Sequence, residues 1–143
     1  MRGERTISRR GFLAGWAAAV LAPGSARSAA GEDALNFEAV GDWGMAKAAS
    51  GVASAMADWA ASHPLRAIVS TGDNFYPQGV ASVADPLWSQ RYESVFGAAS
   101  LSCPWYPVLG NHDHRGNIDA QLTYSQIDPR WQMAGRYYSR SEP

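Results

Sequence analysis

Three short stretches of this 143-residue chain release polar oxygens directly after an apolar run and a glycine. Val40-Gly41 leads to Asp42; Ala67-Ile68-Val69-Ser70-Thr71-Gly72 leads to Asp73-Asn74-Phe75-Tyr76; Val108-Leu109-Gly110 leads to Asn111-His112-Asp113. A strand that ends in glycine fixes a position and permits a tight turn, so the next side chain can aim outward. Two carboxylates (Asp42, Asp73), a phenol (Tyr76) and a carboxamide (Asn111) form a hard-oxygen donor set. Such a set suits Fe(III), Mn, Mg or Zn better than Cu(I). A carboxylate between two metals can bridge them, and two metals about 3.5–4 Å apart can clamp a phosphate ester and activate a water. His112 could contact a phosphoryl oxygen or protonate a leaving group without binding metal. Any one of these aspartates alone reads as ordinary turn chemistry; the three sites together carry the metal reading.

Such residues must be brought together by elements far apart in the chain. Leu35–Val40 alternates apolar and polar residues and reads as a strand with one buried face. Residues 46–62 have helical spacing, with Val52, Ala55, Met56, Trp59 and Ala60 as the apolar face and Pro64 as the stop. Ala67–Ser70 is a second strand. Asp85-Pro86 reads as a helix cap followed by proline in the first turn. Trp88, Tyr92, Val95 and Phe96 form that helix's stripe, ended by Gly97. Trp105–Leu109 is a third strand, short or at an edge because of Pro107. A helix over 120–126 and a strand starting at Tyr137-Tyr138-Ser139 complete the pattern. Asp42 and Asp73 are 31 residues apart, and Asp73 and Asn111 are 38 apart. Both gaps accommodate a crossover helix between parallel strands. The order predicts an α/β fold with a mostly parallel sheet, whose strands deliver Asp42, Asp73 and Asn111 to one edge.

Charge narrows the function classes. Residues 1–30 hold five arginines and one acid, which leaves seven basic and twelve acidic residues beyond them. A net charge of about −5 on residues 31–143 argues against a nucleic-acid surface. Cys103 is the only cysteine, so no disulfide forms within the chain. Arg9-Arg10-Gly11-Phe12-Leu13, the apolar run to Ala22 and the small residues up to Ala30 describe a secretory signal peptide. The paired arginines resemble a twin-arginine signal. The expectation is cleavage near Ala30, export to the periplasm or medium, and no stable membrane anchor, since the apolar run is too short to span a bilayer.

Gly41-Asp42-Trp43-Gly44, Gly72-Asp73-Asn74-Phe75-Tyr76 and Gly110-Asn111-His112-Asp113 resemble the first three motifs of the purple acid phosphatases, which belong to the calcineurin-like metallophosphoesterase superfamily. Pro104-Trp105-Tyr106-Pro107-Val108-Leu109 and the region Tyr124-Ser125 to Arg130-Trp131 support the likeness. It covers about residues 35–140 and is nearest the small, tartrate-resistant type. The resemblance implies the N-terminal half of an αββα sandwich. It implies acid hydrolysis of phosphate monoesters at an Fe(III)–M(II) centre, M being Fe, Zn or Mn. Asp42 and Tyr76 would then bind the ferric ion, Asp73 would bridge, Asn111 would hold the second ion, and His112 would face substrate. A tyrosine at the place of Tyr76 sets this family apart from phosphodiesterases of the superfamily.

The family's later motifs supply three more histidines, and this chain has only His63, His112 and His114. Residues 31–143 are therefore read as a partial domain, inactive alone and poorly soluble because one sheet face lacks its cover. A non-catalytic remnant or binding module is the alternative from another class. Elsewhere the residues read as structure. Trp43 packs beneath the site; Trp59, Trp88, Tyr92 and Phe96 are core; His63 ends a helix; His114 is a solvated loop residue; Cys103 is a small buried apolar group. Oligomeric state is not legible.

Overall fold

A central parallel strand must be apolar on both faces, and Ala67-Ile68-Val69-Ser70 is the run in this chain that meets that need. The computed structural model describes residues 35–141. In it β2 (Ala67–Ser70) lies between β1 (Phe37–Val40) and β3 (Trp105–Pro107), parallel to both. The expected parallel α/β arrangement is the observed one. β3 has three residues and stands at the end of the sheet order, where Pro107 is tolerated. Its outer side is met by Trp131, paired to Trp105 through Trp105 N–H to Arg130 O (2.6 Å) and Gln132 N–H to Trp105 O (2.8 Å). The strand expected at Tyr137–Ser139 is absent. Trp131 is wholly buried there, whereas Tyr137 is 93% exposed and gains nothing from the sheet.

The first crossover is α1 (Ala46–Ala60). Its buried face is Ala49, Ala53, Met56 and Ala60, while Val52 and Trp59 are 44% and 42% exposed. The expected face is corrected by a rotation about the helix axis: Ala49 and Ala53 turn inward with Met56 and Ala60, while Val52, Ala55 and Trp59 fall outside the buried stripe. Trp59 instead stacks on His63, ring centres 4.3 Å apart. α1 ends two residues before the expected 62, because Ala61, Ser62 and His63 turn back onto Ala57, Trp59 and Ala60 carbonyls before Pro64.

The second crossover opens as read, with Asp85 accepting from Ala81 N (2.7 Å) and Leu87 N (2.9 Å). The helical segment Trp88–Glu93 is wound wider than an α-helix, Ser94 N reaching Ser89 O five residues back. It buries Trp88, Tyr92 and Phe96 against one sheet face. Trp43 stands among them, its ring within 6.4 Å of Phe75, Tyr92, Phe96, Trp105 and Trp131. Buried aromatics of this kind contribute about 1.5–3 kcal/mol each through area, with a further ~0.5–1.5 per favourable pair. α2 (Ile118–Thr123) starts at Asn117, whose side chain accepts from Ala120 N, and continues as a tighter turn through Gln126.

Register places Glu38, Val40, Ile68, Ser70, Trp105 and Pro107 on the aromatic side. The opposite face carries Phe37, Val69, Tyr106 and Val108 beside Tyr138 and Arg140, and Phe37 and Val108 are each 42% exposed. β1 therefore buries neither face completely, against expectation. Cys103 is half-buried and not fully enclosed. The proposed leader, residues 1–30, lies outside the described residues. Among the described residues no helix is long and apolar enough to cross a membrane.

Candidate metal centre

Parallel strands bring their C-terminal ends to one rim, and hydrogen bonds carry that order into the loops beyond. Thr71 N donates to Val40 O (2.9 Å), Asp42 N to Gly72 O (3.1 Å) and Val108 N to Ser70 O (3.0 Å). The second and third loops then meet backbone to backbone. Gly72 has φ +105°, and a Cβ there would lie 2.8 Å from Gly110 N; a Cβ on Gly110 would lie 2.1 Å from Asp73 Oδ1. No side chain fits at either position. Asp42 and Asp73 both adopt left-handed backbone, φ 56° and 53°. That conformation costs a non-glycine residue about 1–2 kcal/mol, though aspartate visits it more readily than most.

The Tyr76 hydroxyl stands between the two carboxylates, 2.7 Å from Asp42 Oδ1 and 2.9 Å from Asp73 Oδ2. Residues from two loops thus place three oxygens within hydrogen-bond distance around one shared proton. The bond to Asp42, then desolvation and the bond to Asp73, hold the phenol well above its ordinary range. Burial pushes the Asp73 carboxyl up, but the N–H of His112, the Tyr76 hydroxyl and the nearby charges of His112 and Arg115 outweigh it and lower it. A cation in place of the shared proton would meet three hard oxygens, the chemistry expected of this donor set. Among the described residues no three His, Cys, Asp or Glu side chains form a group that could hold a metal ion. The rim set instead draws on the Tyr76 phenol beside the two carboxylates.

Asn111 is exposed on the third loop, between Gly110 and His112. The residue after it is tied to the second loop, His112 N donating to Asp73 Oδ1 at 2.9 Å. His112 Nδ1 lies 2.6 Å from Pro77 O. A carbonyl only accepts, so Nδ1 carries the proton and Nε2 is the nitrogen left for other work. The ring lies against Tyr76, centres 4.2 Å apart. His63 is on the exposed turn after α1 and His114 is exposed on the third loop, as read.

A second layer lies beneath this rim, which sequence reasoning missed. Trp43 Nε1 donates to Ser70 Oγ (2.8 Å), and Ser70 Oγ donates to Asn74 Oδ1. Asn74 Nδ2 donates to Val108 O (2.9 Å) and Gln121 Oε1 (3.2 Å), and Gln121 Nε2 donates to Asp113 Oδ1 (3.1 Å). Asp113 also accepts from the backbone N–H groups of Phe75 (3.2 Å), Asn74 (3.0 Å) and Gly110 (2.8 Å). Ser70, Asn74, Asp113 and Gln121 are wholly buried. Asn74 and Asp113 stood in the motifs, but nothing in spacing tells which residue of a loop turns inward. Gln121 carried no signal.

A parallel sheet whose first and second loops bring two carboxylates and a phenol together on one rim fits the metallophosphoesterase arrangement. The chain is 42% identical over 112 residues to tartrate-resistant acid phosphatase type 5 of Oryctolagus cuniculus, covering 73% of this chain and 34% of that protein. It is 41% identical over 101 residues to purple acid phosphatase 3 of Arabidopsis thaliana, covering 68% and 28%. A solved structure described as GAP50, the anchor in the inner membrane complex of Plasmodium, aligns with TM-score 0.65 and 33% identity over 73% of this chain and 35% of that one. No protein-family model matches. Over the matched stretch the chain belongs to the purple acid phosphatase family. It spans about a third of the length of the curated relatives it matches.

Proposed function

We propose that this chain supplies one part of a phosphate-monoester hydrolase centre holding Fe(III) and a second divalent ion, Fe, Zn or Mn. Asp42 and Tyr76 would hold the ferric ion, Asp73 would bridge, and Asn111 would serve the second ion. Two such ions, when bound, neutralise phosphoryl oxygens and make a water acidic enough to attack. The chain's own residues do the positioning. Asp73 Oδ1 is engaged by His112 N–H, which leaves Oδ2 for the centre. Tyr76 would release its shared proton to solvent where the ferric ion takes that proton's place, and would add a third anionic oxygen. His112, oriented by Pro77 O, offers Nε2 to the substrate's leaving oxygen. The remaining histidine ligands that the family resemblance implies have no counterpart among His63, His112 and His114.

The observation that carries this reading is the Tyr76 hydroxyl within 2.9 Å of two carboxylates, one of them 34 residues away. Adding Fe(III) should give the protein a visible phenolate-to-iron absorption band that Tyr76→Phe abolishes. A band unchanged in that variant would overturn the ligand assignment. A non-catalytic binding module is favoured by one observation, the lack of a His, Cys, Asp or Glu group able to hold a metal among the described residues. A Tyr76-dependent iron absorption band would remove the force of that observation, since it shows a metal held by a phenol, which that group does not count.

A further inference from the structure

Asp113 is a carboxylate with no exposed surface, and among the described residues its hydrogen bonds come from uncharged N–H groups. Four N–H groups surround it. Oδ2 accepts from Asn74 N and Gly110 N, and Oδ1 from Phe75 N and Gln121 Nε2. Its partners come from three elements: the second loop, its own third loop, and α2. A buried charge held by N–H dipoles alone is tolerated only where the geometry is fixed. Asp73 makes the converse contact, its side chain in the second loop accepting from His112 N in the third. The two aspartates therefore form a reciprocal clasp, each carboxylate holding the other's loop.

Resting on the metal-centre reading above, we infer that Asp113 is the positioning residue of the site. It sets the separation of the second and third loops, and so where Asp73 and Asn111 stand relative to one another. It reaches neither metal nor substrate, because the protein covers it completely. An uncharged amide is the informative replacement. In Asp113→Asn one of the two oxygens becomes an NH2 and faces N–H donors, so either the Oδ1 or the Oδ2 pair of partners is lost.

The test uses the full chain and two measurements. Without metal, amide hydrogen exchange should quicken at least about tenfold in Asp113→Asn either at Phe75, the Oδ1 partner, or at Asn74 and Gly110, the Oδ2 partners, while Ile68 and Val69 change less than about twofold. Mn(II) affinity, read by electron paramagnetic resonance, should fall about 10-fold or more, the scale of lost outer-sphere support. A merely structural role would quicken all these amides together and lower Mn(II) binding only by the unfolded fraction; that result overturns the inference. So does local loosening with unchanged Mn(II) affinity. Gln121→Leu keeps the carboxylate and removes one donor from Oδ1, so it covers the case in which Asp113→Asn does not fold. It should quicken Phe75 but not Gly110, and equal effects at the two would also overturn the role. Absence of Mn(II) binding by the parent chain would sink the metal-centre reading, and is told apart because the exchange measurement needs no metal.

Discussion

The rim and the layer beneath it are built from the same residue types, often one position apart, yet they hold their polar groups in opposite ways. Asp42 is exposed and Trp43 is buried; Asp73 lies at the rim and Asn74 below it; Asn111 is exposed and Asp113 enclosed. Each loop sends one residue up to the rim and a near neighbour down into the lattice. At the rim, carboxylates share a proton from Tyr76 and remain open to solvent. In the lattice, the side chains of Ser70, Asn74, Gln121 and Asp113 find protein partners, because an unmade hydrogen bond there costs about 1–3 kcal/mol. Stability and chemistry are thus separated by one or two residue steps, and the two layers should respond differently to substitution.

Asn74→Ala should have the largest effect on folding. It removes the acceptor for Ser70 and the donor to Val108 O and Gln121, leaving buried polar groups unpartnered and a small cavity. A loss of about 3–5 kcal/mol by urea unfolding is expected. A loss below about 1 kcal/mol would mean that water replaces the amide and that the lattice is no different from the rim. Trp43→Phe should cost less, about 2 kcal/mol, from one lost hydrogen bond to Ser70 and reduced aromatic packing. The check is again the urea midpoint, with the slope unchanged.

The same division decides what could be read in the sequence. The meeting of Asp42 with Asp73 and Tyr76 was legible because polar residues after a strand-ending glycine recur in three places, and because 31- and 38-residue gaps fit parallel crossovers. The lattice was not, since the inward or outward turn of Asn74 or Asp113 depends on backbone angles such as φ 53° at Asp73, which composition does not reveal. On α1 the larger Val52 and Trp59 outweighed alanine in a hydrophobic count, but close approach to the core selected Ala49 and Ala53. The return of the chain to the sheet at Trp131 was hidden because a single bridged residue has no periodicity.

Asp128 shows a third way to hold a carboxylate, and it should yield the smallest effect. Here a cation does what N–H dipoles do for Asp113: Arg130 approaches at 2.6 Å through its guanidinium, and its backbone N–H donates at 2.9 Å. Burial raises the Asp128 carboxyl, but the side-chain and backbone bonds from Arg130 and its charge prevail and hold it below the ordinary 3.8. A folded value lower than the unfolded one stabilises the protein above about pH 3.8 and loses that contribution as pH falls through the folded value. The Arg130 and Asp128 side chains keep 21% and 14% of their surface in solvent, and screening there limits the term to about 1 kcal/mol or less. Asp128→Asn should therefore lower urea-unfolding stability slightly at pH 6, with the gap to the parent protein closing as pH is brought below 3.8. A gap that stayed constant across that range would show that Arg130 holds Asp128 by packing and not by charge.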